Sequence, residues 1–385
     1  MQSRVSSRFA SLALGVGAIL SLGAFVGATD AANAVQAHAT GASGHVYVLD
    51  NPAGPNTIST YDRAANGALT FARTTAIGGS GTGSPLGSQG SLTLAGGYLF
   101  AVDGGSNQIS VVADHDGALV PMGVYGSRGV APVSVAVHGG LLYVVNNGDA
   151  TTPANVAGFW IGAHGSLTPN PYADATLSAA QPGPAQVAVS PDGATLAVTE
   201  KNTNIVDSFR IGFGGALGRR ASVPSTGQTP FGFSFNPLNS HEIVVANAGT
   251  DAGTASAASY RVTPNGAQPV SGAVGDTQTA ACWLIITGNG AYAYVTNAGS
   301  GTISGYRLLP GDGLALLTPG GVTATTGDGS HPLEMTLTPR SQYLYALDAF
   351  THTLSGFVVQ GNGGLAPISL SGISLGAGAV GLAAD

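Results

Sequence analysis

The sequence contains little cysteine and little charge. Its single cysteine, Cys282, rules out a disulfide within the chain, so stability has to come from burial of apolar surface. Charged residues make up 8% of the chain, against roughly 25% in an ordinary globular protein. The formal net charge is −7, whereas nucleic-acid recognition requires a basic face. We therefore expect no nucleic-acid partner.

Glycine is abundant instead, with 60 of 385 residues, and 44% of the chain is hydrophobic. Much glycine with little charge indicates either a low-complexity chain or a fold built largely of turns. The hydrophobic fraction favours the second, because a chain this apolar can bury a core.

Residues 1–34 have the pattern of a secretory signal peptide. Arg4 and Arg8 precede an uncharged apolar run from Leu12 to Ala28, and Ala32-Asn33-Ala34 forms a small-x-small cleavage site. A membrane anchor would need roughly 20 apolar residues, and this run is shorter and rich in glycine. We expect cleavage after Ala34, with Ala39 as the alternative, and a secreted protein, extracellular or periplasmic, with no membrane association after cleavage.

A hairpin unit recurs along the rest of the chain. Its clearest copy is Tyr292–Leu309, two runs of alternating small and apolar residues separated by a Gly/Ser turn. The unit repeats seven times at intervals of about 50 residues, near the ~40–50 residues of a four-stranded propeller blade. Residues 35–385 are therefore predicted to form a single all-β domain, a seven-bladed β-propeller of four-stranded antiparallel blades. Each unit closes on a polar residue: Asp50, Asp103, Asn146, Glu200, Asn247, Asn297 and Asp348.

Six units also show a short apolar strand before the hairpin, as in Pro132–Val137 and Pro184–Val189. The first unit lacks this inner strand, since His45 begins directly at the second strand. Gly378–Ala384 has the missing pattern with no hairpin after it. It is predicted to pair beside Val46–Leu49 and close the ring, which removes the free sheet edges.

Two motifs carry a resemblance to a known family. The Tyr294-Val-Thr-Asn297 tetrad and the Ser190-Pro-Asp-Gly193 turn resemble the repeats of YVTN propellers. Over residues 35–385 the chain resembles the seven-bladed lactonase family, which includes bacterial 6-phosphogluconolactonases and fungal carboxymuconate cyclases. This resemblance implies a lactonase, a carboxylic ester hydrolase, with its site on the face where the inner strands begin.

The resemblance also locates the family's site residues, and several are replaced. The family's Gly-Pro-Arg-His is Gly183-Pro184-Ala185-Gln186, while Glu200 keeps the acidic position that follows. The family's Pro-His-Ser is Pro132-Val133-Ser134, and its Asp/Asn-Arg is Asn247-Ala248. These changes remove the basic cluster that would hold an anionic lactone. We expect no meaningful 6-phosphogluconolactonase or carboxymuconate-cyclising activity, and any residual hydrolysis is predicted to favour neutral lactones with Glu200 as general base.

The ring of seven polar residues has two interpretations. Side-chain oxygens at strand ends commonly cap the backbone of the following turn. A calcium site would need six to eight converging oxygens at ~2.4 Å, and strand ends around a seven-fold ring are too dispersed to supply them. The sequence favours capping, and no metal or cofactor is predicted.

Glu200 and Lys201 form the sharpest candidate pair, with Glu200 as general base or, in the alternative interpretation, as a member of the capping ring. Gln186 is a predicted ligand contact. Arg128, in the loop before Pro132, is the one arginine expected to reach the channel mouth.

Cys282-Trp283 begins an inner strand at the same mouth. A thiol acts as a nucleophile only when a nearby base ionises it, and the alternative is a buried structural cysteine beside a packing tryptophan. His331, a further predicted ligand contact, lies in a top loop adjacent to that of His352. Glu334, inside an apolar strand, is expected to face the channel or to bond to water.

Three functions remain open from the sequence. The first is a lactonase-like propeller that has lost most basic residues and binds a small ligand over the channel. The second is a non-catalytic extracellular module that binds protein or glycan, and the third is a lactonase active on neutral lactones. We expect a monomer.

Overall fold

The computed structural model describes residues 42–385, so the predicted signal peptide lies outside it. The described chain forms seven sheets of antiparallel strands. The first two blades contain β1 (His45–Leu49), β2 (Pro55–Arg63), β3 (Leu69–Ser80), β4 (Leu92–Ala95), β5 (Tyr98–Asp103), β6 (Gln108–His115) and β7 (Ala118–Gly126). The third and fourth contain β8 (Pro132–His138), β9 (Leu141–Asn146), β10 (Asn155–Ile161), β11 (Leu167–Thr176), β12 (Pro184–Val189), β13 (Thr195–Glu200), β14 (Ile205–Ile211) and β15 (Leu217–Pro224).

The remaining blades follow the same plan. They contain β16 (Pro230–Asn236), β17 (Asn239–Asn247), β18 (Ser256–Thr263), β19 (Gly266–Gly275), β20 (Ala281–Ile286), β21 (Tyr292–Asn297), β22 (Thr302–Leu309), β23 (Gly313–Leu316), β24 (Ala324–Thr325), β25 (Pro332–Leu337), β26 (Tyr343–Asp348), β27 (Thr353–Val359), β28 (Leu365–Ile368) and β29 (Val380–Ala384). Two single 3₁₀ turns occur at Ala163–Gly165 and Phe213–Gly215. Within residues 42–385 no helix is long and apolar enough to cross a membrane.

The predicted fold class is confirmed. Five sheets have four strands in sequential order. In the first sheet the order is β29-β1-β2-β3, and in the sixth β24 also pairs with β22. The innermost strands are β29, β4, β8, β12, β16, β20 and β25, and each contacts the next around the central channel.

Ring closure by the last strand is also confirmed. β29 pairs antiparallel with β1, with Val46 opposite Ala384 and Leu49 opposite Val380. The first blade therefore combines the two ends of the described chain, and its hydrogen-bond ladder continues across the seam. The Tyr292–Leu309 hairpin forms as predicted, with Asn297 opposite Thr302.

Buried tyrosines on the second strands of four blades, Tyr47, Tyr143, Tyr294 and Tyr345, hydrogen-bond to the neighbouring blade. The Tyr143 hydroxyl donates to the Gly215 carbonyl at 2.8 Å, and Tyr294 donates to Gly363 at 2.9 Å. Gly363 adopts φ +87°, and a Cβ there would lie 2.6 Å from the Tyr292 ring, so this turn requires glycine. The repeated Gly-Gly and Asn-Gly turns are thus part of the interblade packing.

Candidate functional site

The channel mouth is filled by the protein's own backbone. The segment Leu86–Ser91, which we call the channel loop, lies between β3 and β4 and reaches the inner strands of several other blades. It belongs to a run rich in glycine, with a proline at position 85, a composition that prevents regular structure. Ser88, Gln89 and Ser91 in this loop are buried.

Gln89 is the central contact of the channel loop. Its side-chain Nε2 donates to the Leu284 carbonyl at 2.7 Å, and its Oε1 accepts from the Leu284 N–H at 2.9 Å. Its backbone N–H donates to the Ala185 carbonyl at 2.9 Å. Gly232 makes room for this amide, because a Cβ there would lie 2.0 Å from Oε1. One glutamine thus joins inner strands on different sides of the channel.

Neighbouring residues complete the closure. The Trp283 indole Nε1 donates to the Ser88 carbonyl at 2.9 Å, and the Ser88 hydroxyl donates to the Val133 carbonyl at 2.8 Å. The Val135 N–H donates to the Gly90 carbonyl at 2.8 Å. A void of about 10 Å³ remains beneath the loop, which is enough for at most about one water molecule.

Glu334 lies at this void and is buried. Its two carboxyl oxygens accept from the Gly90 N–H at 3.3 and 3.2 Å. Burial raises the pKa of Glu334 to about 8, against the opposing effect of the Gly90 hydrogen bond. The carboxyl is therefore mainly protonated at neutral pH. Glu334 was expected to face the channel or to bond to water, and its partner among the described residues is the backbone N–H of Gly90.

Lys201, the only lysine in the sequence, also holds the channel loop. Its Nζ donates to the Gly87 carbonyl and lies 4.7 Å from the centre of the Phe231 ring, a cation–π geometry. Burial lowers the pKa of Lys201 to about 8. The ammonium group of Lys201 is thus already bound to the protein itself.

Gln186 and Cys282 are also near the mouth but are engaged. Gln186 Oε1 accepts from the Phe233 N–H at 2.6 Å. The Cys282 thiol is buried and donates to the Ala280 carbonyl at 3.1 Å. Burial raises the pKa of Cys282 to about 12, although the nearby charge of Lys201 opposes the shift. A thiol with this pKa is a poor nucleophile at neutral pH.

Two further predicted residues, His331 and Arg128, are engaged by partners of their own. His331 stacks on Phe350, with ring centroids 4.1 Å apart and an interplanar angle of 5°, and burial lowers its pKa. Arg128 forms an ion pair with Asp174 on β11, and its Nη1 donates to the Asn170 carbonyl at 3.1 Å. Arg128 therefore turns to an outer strand, where an acidic partner is available, instead of reaching the mouth.

Glu200 is fully buried at the end of β13. Its Oε1 accepts from the Ser178 N–H at 2.9 Å, and its Oε2 accepts from the hydroxyls of Ser178 and Thr203. These bonds hold the carboxylate within the blade, and its role as a general base stays a prediction.

Asp103 and Asp348 of the ring are held in a similar way by hydroxyl groups. Asp103 Oδ2 accepts from Ser110 at 2.7 Å, and Asp348 Oδ2 accepts from Ser355 at 2.6 Å. Burial raises the pKa of Asp103 to about 6 and that of Asp348 to about 7. Among residues 42–385, no group of three or more His, Cys, Asp or Glu side chains could hold a metal ion.

Comparison with known proteins gives similarity in structure alone. No protein-family model and no curated protein matches the sequence. A structure described as a candidate 6-phosphogluconolactonase from Bacteroides fragilis aligns with a TM-score of 0.69 at 17% identity, over 89% of this chain and 98% of that one. The periplasmic gluconolactonase of Pseudomonas aeruginosa aligns with a TM-score of 0.66 at 16% identity, over 87% and 96%. The chain has the lactonase-propeller fold.

The same fold also occurs in proteins described by other functions. A hypothetical selenium-binding protein from Sulfolobus tokodaii aligns with a TM-score of 0.64 at 8% identity, over 88% of this chain and 92% of that one. Since fold does not determine function, the function of this lactonase-like propeller has to be argued from its side chains. The most informative side chains, those of Ser88 and Gln89, could not be found from the sequence, because they lie in a glycine-rich loop with no motif.

Proposed function

We propose that the protein is an exported propeller that binds a ligand without hydrolysing lactones. The observation that carries this proposal is the channel loop, which occupies the position where lactonase-like propellers are expected to hold substrate. Gln89 and Trp283 bond to backbone groups across the mouth, so a substrate would have to displace Leu86–Ser91 before it could enter.

The charges at the mouth support the same conclusion. An anionic lactone is held by charge-assisted hydrogen bonds worth roughly 1.5–3 kcal/mol each. Val133, Ala185, Gln186 and Ala248 provide no such bond, and Lys201 donates to Gly87. The loss of three or four such bonds lowers kcat/KM by a factor of roughly 10³ or more, since each ~1.4 kcal/mol is tenfold.

Hydrolysis assays on purified residues 35–385 test the proposal. We expect 6-phosphogluconolactone and glucono-δ-lactone to disappear no faster than in buffer. A variant in which two glycines replace Leu86–Gln89 tests whether the protein is inactive because the channel loop blocks the channel or because the basic side chains are missing. It is also expected to be inactive, because opening the channel adds no cation.

Turnover of either lactone at enzyme rates that is abolished by Glu200→Gln would contradict the proposal. Activity that appears only in the loop-replaced variant would show that the channel loop, and not the missing cations, suppresses catalysis. Ser178→Ala is the matched control, because it removes a hydrogen bond to Glu200 while it leaves the carboxylate in place.

A further inference from the structure

One member of the polar ring differs from the other six. Six are 0–1% exposed, namely Asp103, Asn146, Glu200, Asn247, Asn297 and Asp348. Asp50 is half-buried instead and lines a cavity of about 520 Å³ in the first blade. This volume lies within the ~300–1,000 Å³ that is common for small-molecule sites.

The cavity arises from unequal outer strands. In the first blade β3 is 12 residues long and covers Asp103 of the next blade. Its Gly79 packs so closely on Asp103 that a Cβ there would lie 2.2 Å from the Asp103 carboxyl carbon. The corresponding outer strand of the seventh blade, β28, has only four residues and ends at Ile368. Beside Asp50 the cavity is lined by Ser374, Gly376, Ala377 and Gly378, from the loop before β29, instead of a longer outer strand. We call this space the seam cavity, because it lies where the ring closes.

Hydroxyl groups form one wall of the seam cavity. Thr57, Ser59 and Tyr61 alternate along β2 and therefore share one face of the sheet. The hydroxyls of Thr57 and Ser59 donate to Asp50 Oδ2 at 2.6 and 3.0 Å. No described group donates to Asp50 Oδ1 or bonds to the Tyr61 hydroxyl, so neither atom has a partner among the described residues. Asp50 is half-buried, whereas Tyr61 is 2% exposed and lines the cavity from within the core.

An exposed aromatic ring extends the same wall. Phe71 lines the cavity and is 49% exposed. It pairs with Tyr61 across the strands and meets its ring edge-on, with centroids 5.7 Å apart. The Tyr61 contact fixes the orientation of Phe71, whose negative face then attracts the slightly positive C–H groups of a ligand.

We propose that the seam cavity binds a neutral sugar, with its hydroxyls on Asp50 and Tyr61 and its C–H face on Phe71. This inference rests on the proposed binding function and names its ligand class. A sugar hydroxyl both donates and accepts, which matches an acceptor at Asp50 Oδ1 and a donor at Tyr61. The Asp50 bond would be charge-assisted and hence strong.

The lining disfavours the other ligand classes. No lysine or arginine lines the cavity, so an anionic ligand would meet Asp50 with no compensating charge. An ammonium group would suit Asp50 and Phe71, but it can only donate and leaves the Tyr61 donor unmatched. A purely apolar ligand would exclude water from Asp50 Oδ1, which has no partner among the described residues.

Calorimetric titration of residues 35–385 tests the proposal. The probes are the methyl glycosides of glucose, galactose, mannose and N-acetylglucosamine, together with cellobiose. We expect saturable binding of at least one of them. Asp50→Asn keeps the shape but loses the charge, so it should weaken that binding about tenfold, and Phe71→Ala should weaken it several-fold.

The repeat supplies matched controls. Asp103→Asn changes the equivalent ring position, which is fully buried, and Phe350→Ala removes a ring that is 65% exposed elsewhere. Both should bind sugar within twofold of the unmodified protein. Because Phe71 is on the surface, its variant is expected to fold even if Asp50→Asn does not.

Failure of all five probes to bind would overturn the sugar assignment, as would equal losses in the control variants. Binding of putrescine that is lost in Asp50→Asn, with no sugar bound, would overturn it in favour of an amine. These outcomes do not depend on the lactone assays. Lactone turnover would refute the proposed function while sugar binding at Asp50 could still hold.

Discussion

Gln89→Ala is the substitution that most directly weakens the channel loop. It removes the two hydrogen bonds that Gln89 makes to Leu284, at 2.7 and 2.9 Å. The Leu284 N–H and carbonyl, in the interior of the ring, then lose their partner. We expect a lower free energy of unfolding and a more accessible channel.

The magnitude follows from the two orphaned backbone groups. Leaving a buried donor or acceptor unpaired costs about 1–3 kcal/mol, and water that enters the vacated space recovers part of this. We expect a loss of roughly 2–4 kcal/mol in total. At about 2 °C per kcal/mol for a large domain, the Tm should fall by roughly 4–8 °C. Gln89→Met keeps the side-chain volume but removes the hydrogen bonds. It should lower the free energy of unfolding nearly as much as Gln89→Ala if the hydrogen bonds matter more than packing.

Tryptophan fluorescence gives a local readout. The chain has two tryptophans, so Trp160→Phe leaves Trp283, whose indole donates to the Ser88 carbonyl, as the sole reporter. Acrylamide should quench Trp283 weakly in this background and several-fold more strongly when Gln89→Ala is added. Gln268→Ala, at an exposed glutamine, is the control and should change neither quenching nor Tm. Equal acrylamide quenching and equal Tm in the Gln89 and Gln268 variants would show that Gln89 does not hold the channel loop in place.

Three further predictions concern stability and reactivity. Burial raises the pKa of Glu334 to about 8, so the folded protein holds this proton more tightly than the unfolded chain, and stability should fall as pH rises from about 4.5 to about 8. The Tm at pH 5 should therefore exceed the Tm at pH 8, and Glu334→Gln should make this difference smaller. A higher Tm at pH 8 than at pH 5 would contradict the assignment. The buried Cys282 thiol should react with Ellman's reagent only after unfolding, and a reductant should leave the Tm unchanged; rapid labelling of the native protein would show that Cys282 is accessible. Deletion of Gly378–Asp385 removes β29 and should lower the Tm and promote self-association through the freed edges, whereas an unchanged melting curve and a monomeric elution volume would argue against closure by this strand.

The strands and their order could be predicted because each depends on local sequence. Alternation at period two and a short apolar inner strand, which begins with proline in four blades, recur about every 50 residues. The repeated copies therefore support one another. Gly378–Ala384 has the pattern of an inner strand with no hairpin after it, and this pattern predicted the ring closure. The pairing of Val46 with Ala384 confirms that prediction.

The channel loop could not be predicted, because distant contacts determine its position. Gln89 bonds to Leu284, 195 residues away, and Gly90 bonds to Glu334, 244 residues away. Gly232 leaves space for Gln89 because it has no Cβ. The sequence does not distinguish this glycine from any other. Arg128 was expected at the mouth because the local sequence gives no sign of its partner Asp174 on β11.

The seam cavity was missed for a similar reason. Asp50 has the same sequence context as the other ring residues, and what exposes it is the early end of β28 at Ile368, in a blade more than 300 residues further along the chain. Strand length at an outer edge is weakly specified by sequence, since irregular backbone is tolerated there.

An electron-density map of crystals of residues 35–385 would show whether Leu86–Ser91 close the channel. We predict continuous protein density across the mouth, with the Gln89 amide between Leu284 and Gly232 and the Trp283 indole on the Ser88 carbonyl. A water-filled mouth, with Leu86–Ser91 lying outside the ring of inner strands, would contradict the claim.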